Sequence, residues 1–327
     1  MAIEENKVLT VKQLFEENRE KLGLELIQGA AGLDRIITKK DIYRPGLALA
    51  GFVELFTFHR VQVLGNTETL YLKKLDAAAK RQALERIFQF EIPCFIITNN
   101  NLLPEDMSRL ANEKSIPLFR TPLSTTDFTH RIIDYLDDIF APKKVVHGSL
   151  VDVYGTGILF TGRSGIGKSE ISLDLVERGH RLVSDDIVVL TRKSEGVLIG
   201  SGTEMLRHLM EIRGVGIIDI RRMFGIRAIR LQKRVEMEVE LVEWDGKEDY
   251  DRLGLDDQKR SYLGVDIFYV KLPIFPGKNI TVIAESLALN LHLKVYGFHP
   301  AKEFSDRLLE TIQDKRRVRE YLNRDVE

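Results

Sequence analysis

The sequence predicts a two-domain α/β protein, and three observations lead to this prediction. The chain has 327 residues, 44% of them hydrophobic, which is enough for two domains with cores of their own. In the first 140 residues, strand-like apolar runs alternate with helical segments, as in a small α/β domain. Residues 141–144 have linker composition, and beyond them a glycine-rich loop lies between a strand candidate and a helix candidate. We therefore predict an N-terminal domain over residues 1–140 and a C-terminal domain over residues 141–327.

The elements of the N-terminal domain follow from hydrophobic spacing and from residues that interrupt it. The single cysteine, Cys94, lies in an apolar run and cannot form a disulfide within the chain, so we predict a buried core thiol. Asn99-Asn100-Asn101 marks the end of that run. The spacing predicts helices over residues 8–28, 77–90, 105–114 and 126–140, and strands over residues 94–98 and 116–119.

In the C-terminal domain the clearest predicted element is a helix over residues 168–178. Gly179 follows it, and glycine is the residue that best tolerates a left-handed helix C-terminus. Residues 236–244 alternate charged and apolar side chains, which predicts a half-exposed strand. From about Val282 the sequence predicts two helices with a break at residues 297–300.

The composition argues against several classes of protein. The formal net charge is -1, so no overall field would recruit nucleic acid or an anionic membrane. The basic stretch over residues 221–234 contains one aromatic residue, which favours a solvated or subunit-facing surface. No apolar run reaches the ~20 residues of a membrane helix, and no signal peptide is evident. The histidines and the cysteine lack metal-site spacing, and no hydrolase elbow is present. We expect a cytoplasmic protein.

The strongest functional signal is a complete phosphate-binding loop, or P-loop. Its glycines let successive backbone N–H groups point at phosphate oxygens, and the following helix adds its positive N-terminal end. The lysine would contact the β- and γ-phosphates, and the final serine hydroxyl can bind Mg²⁺. The loop consists of Gly162, Arg163, Ser164, Gly165, Ile166, Gly167, Lys168 and Ser169.

Two acidic residues after a strand candidate are candidates for the remaining chemistry. Asp186 is the candidate base for an acceptor hydroxyl, because a carboxylate at a strand end near the loop can reach an incoming group. Asp185 is the rival, since acidic pairs at strand ends often bind Mg²⁺ instead. Taken alone, the pair is also compatible with a solvated turn.

Three blocks of sequence resemble the HPr kinase/phosphorylase family of bacteria. They are residues 147–152 leading into the loop, Ser184-Asp185-Asp186, and the distinctive string over residues 211–219. The resemblance implies a C-terminal kinase domain related to the phosphoenolpyruvate carboxykinase core, and a homohexamer. It also implies phosphorylation of a serine on the phosphocarrier HPr, with ATP or pyrophosphate as donor and Mg²⁺ or Mn²⁺ as cofactor. The reverse reaction consumes inorganic phosphate and releases pyrophosphate, and the pair of activities regulates carbon metabolism.

The resemblance also assigns roles to individual residues. Asp186 accepts a proton in the forward reaction and donates one in the reverse, while His147 and Arg252 become catalytic positions beside Lys168. Glu211 joins Ser169 as a metal ligand. The family pattern has two basic positions in a loop associated with the reverse reaction, and this chain has phenylalanine at one, which predicts weaker phosphorolysis. That loop consists of Pro273, Ile274, Phe275, Pro276, Gly277 and Lys278.

Two other functions are compatible with a P-loop. One is a small-molecule kinase on the same core, and the other is a nucleotide-sensing regulatory protein without phosphotransfer. A sensor has no need of Asp186, Glu211 and Arg252 around the loop, so their dispersal in space would favour it.

Overall fold

The computed structural model describes residues 8–194, 196–244, 258–275 and 277–324. Within these ranges the chain separates after Ala141 into two compact units. Each unit contains both strands and helices, which confirms the predicted two-domain α/β fold class. Over the same residues, no helix is both long enough and apolar enough to span a bilayer.

Short strands and amphipathic helices build the N-terminal unit. Its first helix begins after Thr10, whose hydroxyl caps the helix N-terminus. It ends before Gly23, which has a left-handed φ of 58°. The helix predicted over residues 8–28 is therefore wrong at its C-terminal end, because Gly23 stops it and a strand follows. The elements are β1 (Leu9–Thr10), α1 (Val11–Leu22), β2 (Glu25–Gln28), β3 (Ile36–Ile37), β4 (Ile42–Tyr43), α2 (Gly46–Ala50), β5 (Val61–Leu64), α3 (Asn66–Lys74), α4 (Ala77–Phe88), β6 (Phe95–Ile97), α5 (Glu105–Glu113), β7 (Leu118–Arg120) and α6 (Thr125–Phe140).

A five-stranded sheet in the order β2-β7-β6-β5-β4 lies at the centre of this unit. Strands β4 to β7 are parallel and β2 is antiparallel to β7. In β6, Phe95 and Ile97 face one apolar core while Ile96 faces the other, so both faces of the sheet are covered. Cys94 is fully buried, as predicted, and burial raises the pKa of its thiol to about 12.

Phe119 in β7 provides a stability test for this sheet. Its side chain is fully buried and its ring stacks on Phe15 at 5.1 Å between centroids. We expect Phe119→Ala to lower the free energy of unfolding by about 3–5 kcal/mol, because the truncation leaves a cavity. Urea unfolding measures this, with Phe52→Ala, a ring 49% exposed, as the control with little effect. A loss below about 1 kcal/mol would contradict the packing described.

The C-terminal unit contains the glycine-rich loop and the helix predicted after it. That helix ends at Glu177, and Gly179 follows with a left-handed φ of 96°, as predicted. Two further helices flank the predicted break at residues 297–300. The elements are β8 (Lys143–His147), β9 (Ser149–Val153), β10 (Thr156–Gly162), α7 (Lys168–Glu177), β11 (Arg181–Ser184), β12 (Ile187–Ser194), β13 (Val197–Ser201), β14 (Leu209–Ile212), β15 (Gly216–Asp219), α8 (Ile220–Phe224), β16 (Gln232–Arg234), β17 (Met237–Glu243), β18 (Lys259–Tyr262), β19 (Val265–Ile274), α9 (Ile280–Val295) and α10 (Pro300–Arg324).

Two sheets pack face to face in this unit. The larger has the order β11-β9-β10-β17-β19-β18, and the smaller has the order β16-β13-β12-β8. Leu150 and Leu159 of the larger sheet share an apolar cluster with Val188 and Leu190 of the smaller. The other face of the larger sheet packs against α7 and α9, with Phe160 in that core. A separate hairpin, β14–β15, packs beside α7.

Strand β17 is more buried than its alternating sequence predicts. Glu238 is 0% exposed, so the predicted half-exposed strand is wrong at this position. Its carboxylate accepts hydrogen bonds from Thr161 Oγ1 (2.6 Å), Arg260 Nη1 (2.7 Å) and Tyr262 Oη (3.0 Å). A charged residue can lie inside because these donors satisfy both carboxylate oxygens. Since Thr161 directly precedes the loop, this cluster also fixes the strand from which the loop emerges.

Candidate active site

Several candidate site residues of the C-terminal unit lie at one edge of the larger sheet. Strands β10, β11, β17 and β19 are parallel to one another, because β10 and β11 each pair antiparallel with β9. Their carboxyl ends therefore lie at the same edge, together with the amino end of β9. Ligands of open α/β sheets bind at this kind of edge.

The glycine-rich loop, residues 162–169, leaves this edge at the end of β10. Gly162 has a φ of 137°, and a Cβ there would lie 2.5 Å from the Leu241 carbonyl oxygen, so no larger residue fits. Lys168 Nζ donates hydrogen bonds to the carbonyl oxygens of Gly162 (3.1 Å) and Arg163 (3.0 Å). The ammonium group therefore lies against the loop that would hold a phosphate.

Asp185 is joined to the loop through Ser169. Ser169 Oγ donates a hydrogen bond of 2.8 Å to Asp185 Oδ2, and Ser149 Oγ donates to Oδ1. The aspartate is 3% exposed, and its burial raises the pKa of the carboxyl above the ordinary value, although the two hydroxyl groups oppose the shift. A buried carboxylate beside the loop serine is an arrangement of hard oxygen atoms that suits Mg²⁺.

Asp186 points away from this cluster and towards solvent. Its side chain is 69% exposed, and its φ of 64° turns the chain between β11 and β12. His147 Nδ1 lies 4.0 Å from Asp186 Oδ1, and the Gly148 N–H donates a 3.0 Å hydrogen bond to the Asp186 carbonyl. The two neighbouring aspartates thus differ in environment, since one is buried against Ser169 and the other is exposed beside a histidine.

Glu211 lies on the β14–β15 hairpin, opposite Ile217. Met210 and Ile212 on either side are buried in the core, so the Glu211 side chain faces solvent. The contact with the loop is made by Arg213, since a Cβ at Gly165 would lie 3.1 Å from Arg213 Nη2. Arg213 was not among the predicted site residues, although it lies inside the distinctive string over residues 211–219.

The loop that follows β19 lies at the same edge. The Phe275 ring contacts the Trp244 ring at 5.7 Å, and Lys278 Nζ lies 5.2 Å from the Phe275 ring. Lys278 Nζ also donates to the Pro273 carbonyl oxygen at 3.3 Å. Asn279 caps α9 directly after this loop. Two predicted site residues, Arg252 and Pro276, lie outside the described residues.

The oxygen atoms around Ser169 suit a metal ion that takes most of its ligands from phosphate and water. Among the described side chains, no three histidine, cysteine, aspartate or glutamate residues converge as a metal cage. Mg²⁺ in phosphotransferases needs no such cage, because one or two protein oxygens suffice beside the substrate phosphates. Ser169 Oγ and the Asp185 carboxylate are two oxygen donors that could fill this role.

The loop, the helix behind it and the acidic residues at one sheet edge define a P-loop phosphotransferase. The sequence matches the family model "HPr Serine kinase N terminus" over residues 9–136, and "HPr Serine kinase C-terminal domain" over residues 138–308. The chain belongs to the HPr kinase/phosphorylase family.

Curated relatives extend this match over nearly the whole chain. The HPr kinase/phosphorylase of Chloroherpeton thalassium is 52% identical, covering 98% of this chain and 95% of the relative. That of Prosthecochloris aestuarii is 47% identical, covering 98% and 96%. A solved structure, the Hpr(Ser) kinase/phosphatase from Coxiella burnetii, is 33% identical over 47% of this chain and 99% of that one, with a TM-score of 0.43.

Proposed function

We propose that this chain phosphorylates a serine of the phosphocarrier HPr and also removes that phosphate by phosphorolysis. The observation that carries the proposal is the common sheet edge, which brings the phosphate loop, Asp185, Asp186 and His147 together in a chain of this family. ATP is the phosphoryl donor, and pyrophosphate is the alternative donor.

In the forward reaction the loop holds the donor phosphates through its backbone N–H groups, and Lys168 neutralises charge on the transferring group. Asp186 accepts the proton of the serine hydroxyl, since its exposed carboxylate can be reached by a protein substrate. His147 lies beside that carboxylate and orients it or the phosphate. Arg252 supplies a second positive charge to the phosphoryl group.

Ser169 and Glu211 are the proposed ligands of Mg²⁺ or Mn²⁺, and the Asp185 carboxylate, which is hydrogen-bonded to Ser169, is a further candidate. When bound, the ion neutralises phosphate charge. Because Ser169 Oγ donates its hydrogen to Asp185, its lone pairs would remain available to such an ion. Among the described hydrogen bonds, none joins Glu211 to the loop. It lies on the hairpin whose Arg213 lies against the loop, and this hairpin is its connection to the proposed metal site.

In the reverse reaction inorganic phosphate attacks phosphoserine, Asp186 returns the proton to the serine oxygen, and pyrophosphate leaves. The loop over residues 273–278 serves this direction. Phe275 stands where a cation would bind an anionic substrate, and we therefore propose a weaker reverse reaction.

We also propose that the protein is cytoplasmic and homohexameric, as the family resemblance implies, and that it acts without nucleic acid or membrane. A small-molecule kinase and a nucleotide sensor are the alternatives. Asp186 lies at the same sheet edge as the phosphate loop, an arrangement that a phosphotransferase needs and a sensor does not.

Incubation of HPr with γ-labelled ATP and Mg²⁺ tests the proposal. We expect label on one HPr serine, none on HPr whose acceptor serine is alanine, and slower pyrophosphate release from seryl-phosphorylated HPr with phosphate. Label in small molecules alone would establish the first alternative, and nucleotide binding without transfer the second. Absence of pyrophosphate release would refute the reverse reaction.

A further inference from the structure

Two half-exposed aromatic rings lie at the sheet edge beside the phosphate loop, and the proposed reaction assigns neither of them a contact with the nucleotide. Trp244, the single tryptophan of the chain, is 48% exposed, and Phe275 is 41% exposed. Their rings lie 5.7 Å apart at an interplanar angle of 62°. The Trp244 N–H donates to the Ile274 carbonyl at 3.4 Å, so the backbone holds the two residues as the last step of the β17–β19 pairing.

This aromatic pair, Trp244 and Phe275, has a defined position relative to the loop. Strand β17 is the immediate neighbour of β10, and Leu241 pairs with Gly162 at the start of the loop. One residue before Trp244, the Glu243 carboxylate accepts a hydrogen bond from the Arg163 guanidinium of the loop. The aromatic pair is thus joined to the loop by adjacent backbone and by an ion pair.

The acidic residues lie on the opposite side of the loop. In the larger sheet β9 and β11 are on one side of β10, and β17 and β19 are on the other. Asp185 and Asp186 follow β11, so about three strand spacings, or about 14 Å, separate the acidic and aromatic ends of the edge. The phosphate loop lies between them.

This order sets the direction of a bound nucleotide. The phosphoryl group in transfer must lie next to the proton acceptor, which places the γ-phosphate towards Asp186. A triphosphate held along the loop then extends its nucleoside towards β17. We propose that the aromatic pair is the platform on which the purine base of the donor stacks. Base stacking on aromatic side chains is a general mode of recognition, since every base has a π face.

The proposed platform depends on the proposed function in one respect only, namely that the bound nucleotide is the phosphoryl donor. It predicts a difference between the two kinds of donor, because pyrophosphate has no base. A side chain that merely holds the end of β17 in place would affect both ligands alike, since both bind the same loop.

Calorimetric titration of the full-length protein, with Mg²⁺, separates these cases. We expect Trp244→Leu to weaken binding of AMP-PNP about tenfold while binding of inorganic pyrophosphate changes by less than about twofold. Trp244→Tyr keeps a ring and should restore AMP-PNP affinity to within about threefold of the parent. Tyr296→Leu, at a 79% exposed ring in the same unit, is the matched control and should change neither affinity.

Equal weakening of both ligands, or unchanged AMP-PNP affinity in Trp244→Leu, would overturn the platform. Failure of the HPr labelling assay would leave this comparison intact, because the titration needs no acceptor. Conversely, a protein that labels HPr with ATP but binds AMP-PNP independently of Trp244 would keep the proposed function and lose the platform.

Discussion

Replacement of Lys168 by alanine is expected to lower the rate of HPr phosphorylation by about a thousandfold. The ammonium group lies within hydrogen-bond distance of two carbonyl oxygens of the loop, so it is held where donor phosphates bind. A cation held beside the loop can exchange these carbonyl oxygens for phosphate oxygens and stabilise charge on the transferring phosphoryl group. Single-turnover kinetics with saturating ATP and HPr measure the loss in the transfer step.

Two observations make this result specific to the reaction. Lys302→Ala removes an exposed lysine of α10 in the same unit and should change the rate by less than about twofold. The unfolding midpoint of Lys168→Ala should match that of the parent, because the side chain is only partly buried and belongs to no core. A variant that retains more than about a tenth of the parent rate would remove Lys168 from the proposed mechanism.

Local signals predicted the loop and its helix well. The glycine spacing, the lysine and the apolar stripe of α7 are all contained within about fifteen residues, and Gly179 ends the helix where the sequence predicts. At Gly23 the same kind of signal competes with an apolar spacing that continues through β2, and the spacing predicted too long a helix. A glycine with positive φ interrupts a helix whatever the spacing beyond it.

Non-local features were not predictable from the same information. Nothing near Glu238 in sequence shows that Thr161, Arg260 and Tyr262 come from other strands to satisfy its carboxylate. Alternation of charged and apolar residues therefore predicted an exposed face where the structure has a buried carboxylate, paired with the partly exposed Arg260. The strand order could not be predicted for the same reason, because it is fixed by pairing between segments that are distant in sequence.

The candidate site shows a similar division. The phosphate loop could be identified from its motif alone, and Glu211 and His147 only through the resemblance to a family. Arg213 could have been found, because Gly214 and Gly216 around a single residue predict a tight hairpin that brings the preceding arginine close to a neighbour. The turn at Asp186 decides which of the two aspartates faces Ser169. No rule of residue spacing predicts that turn.

That turn gives the two aspartates different environments. Asp185 continues β11 into the interior, where Ser149 and Ser169 hold its carboxylate. The left-handed backbone at Asp186 then reverses the direction of the side chain and leaves it exposed. We infer that the buried residue serves the metal and the loop serine, whereas the exposed residue serves the substrate. Their substitutions should therefore have different effects.

Replacement of Asp186 by asparagine is expected to lower HPr phosphorylation by about a thousandfold with little change in nucleotide affinity. Asparagine keeps the size and shape of the side chain but cannot accept the serine proton. Because Asp186 contacts neither Ser169 nor Lys168 among the described hydrogen bonds, the donor site should remain intact. Initial rates of HPr labelling, with AMP-PNP titration beside them, measure the two quantities.

Two matched variants test this assignment of Asp186. Asp185→Asn should instead weaken Mg²⁺-dependent nucleotide binding, because it removes the carboxylate bonded to Ser169. Asp266→Asn changes an exposed aspartate at the amino end of β19, away from the site edge, and should alter neither quantity.

The reverse reaction tests whether Asp186 is the group that carries the proton, since a group that accepts the proton in one direction must return it in the other. Asp186→Asn should therefore slow phosphorolysis as well, and a variant impaired in only one direction would exclude Asp186 as the base.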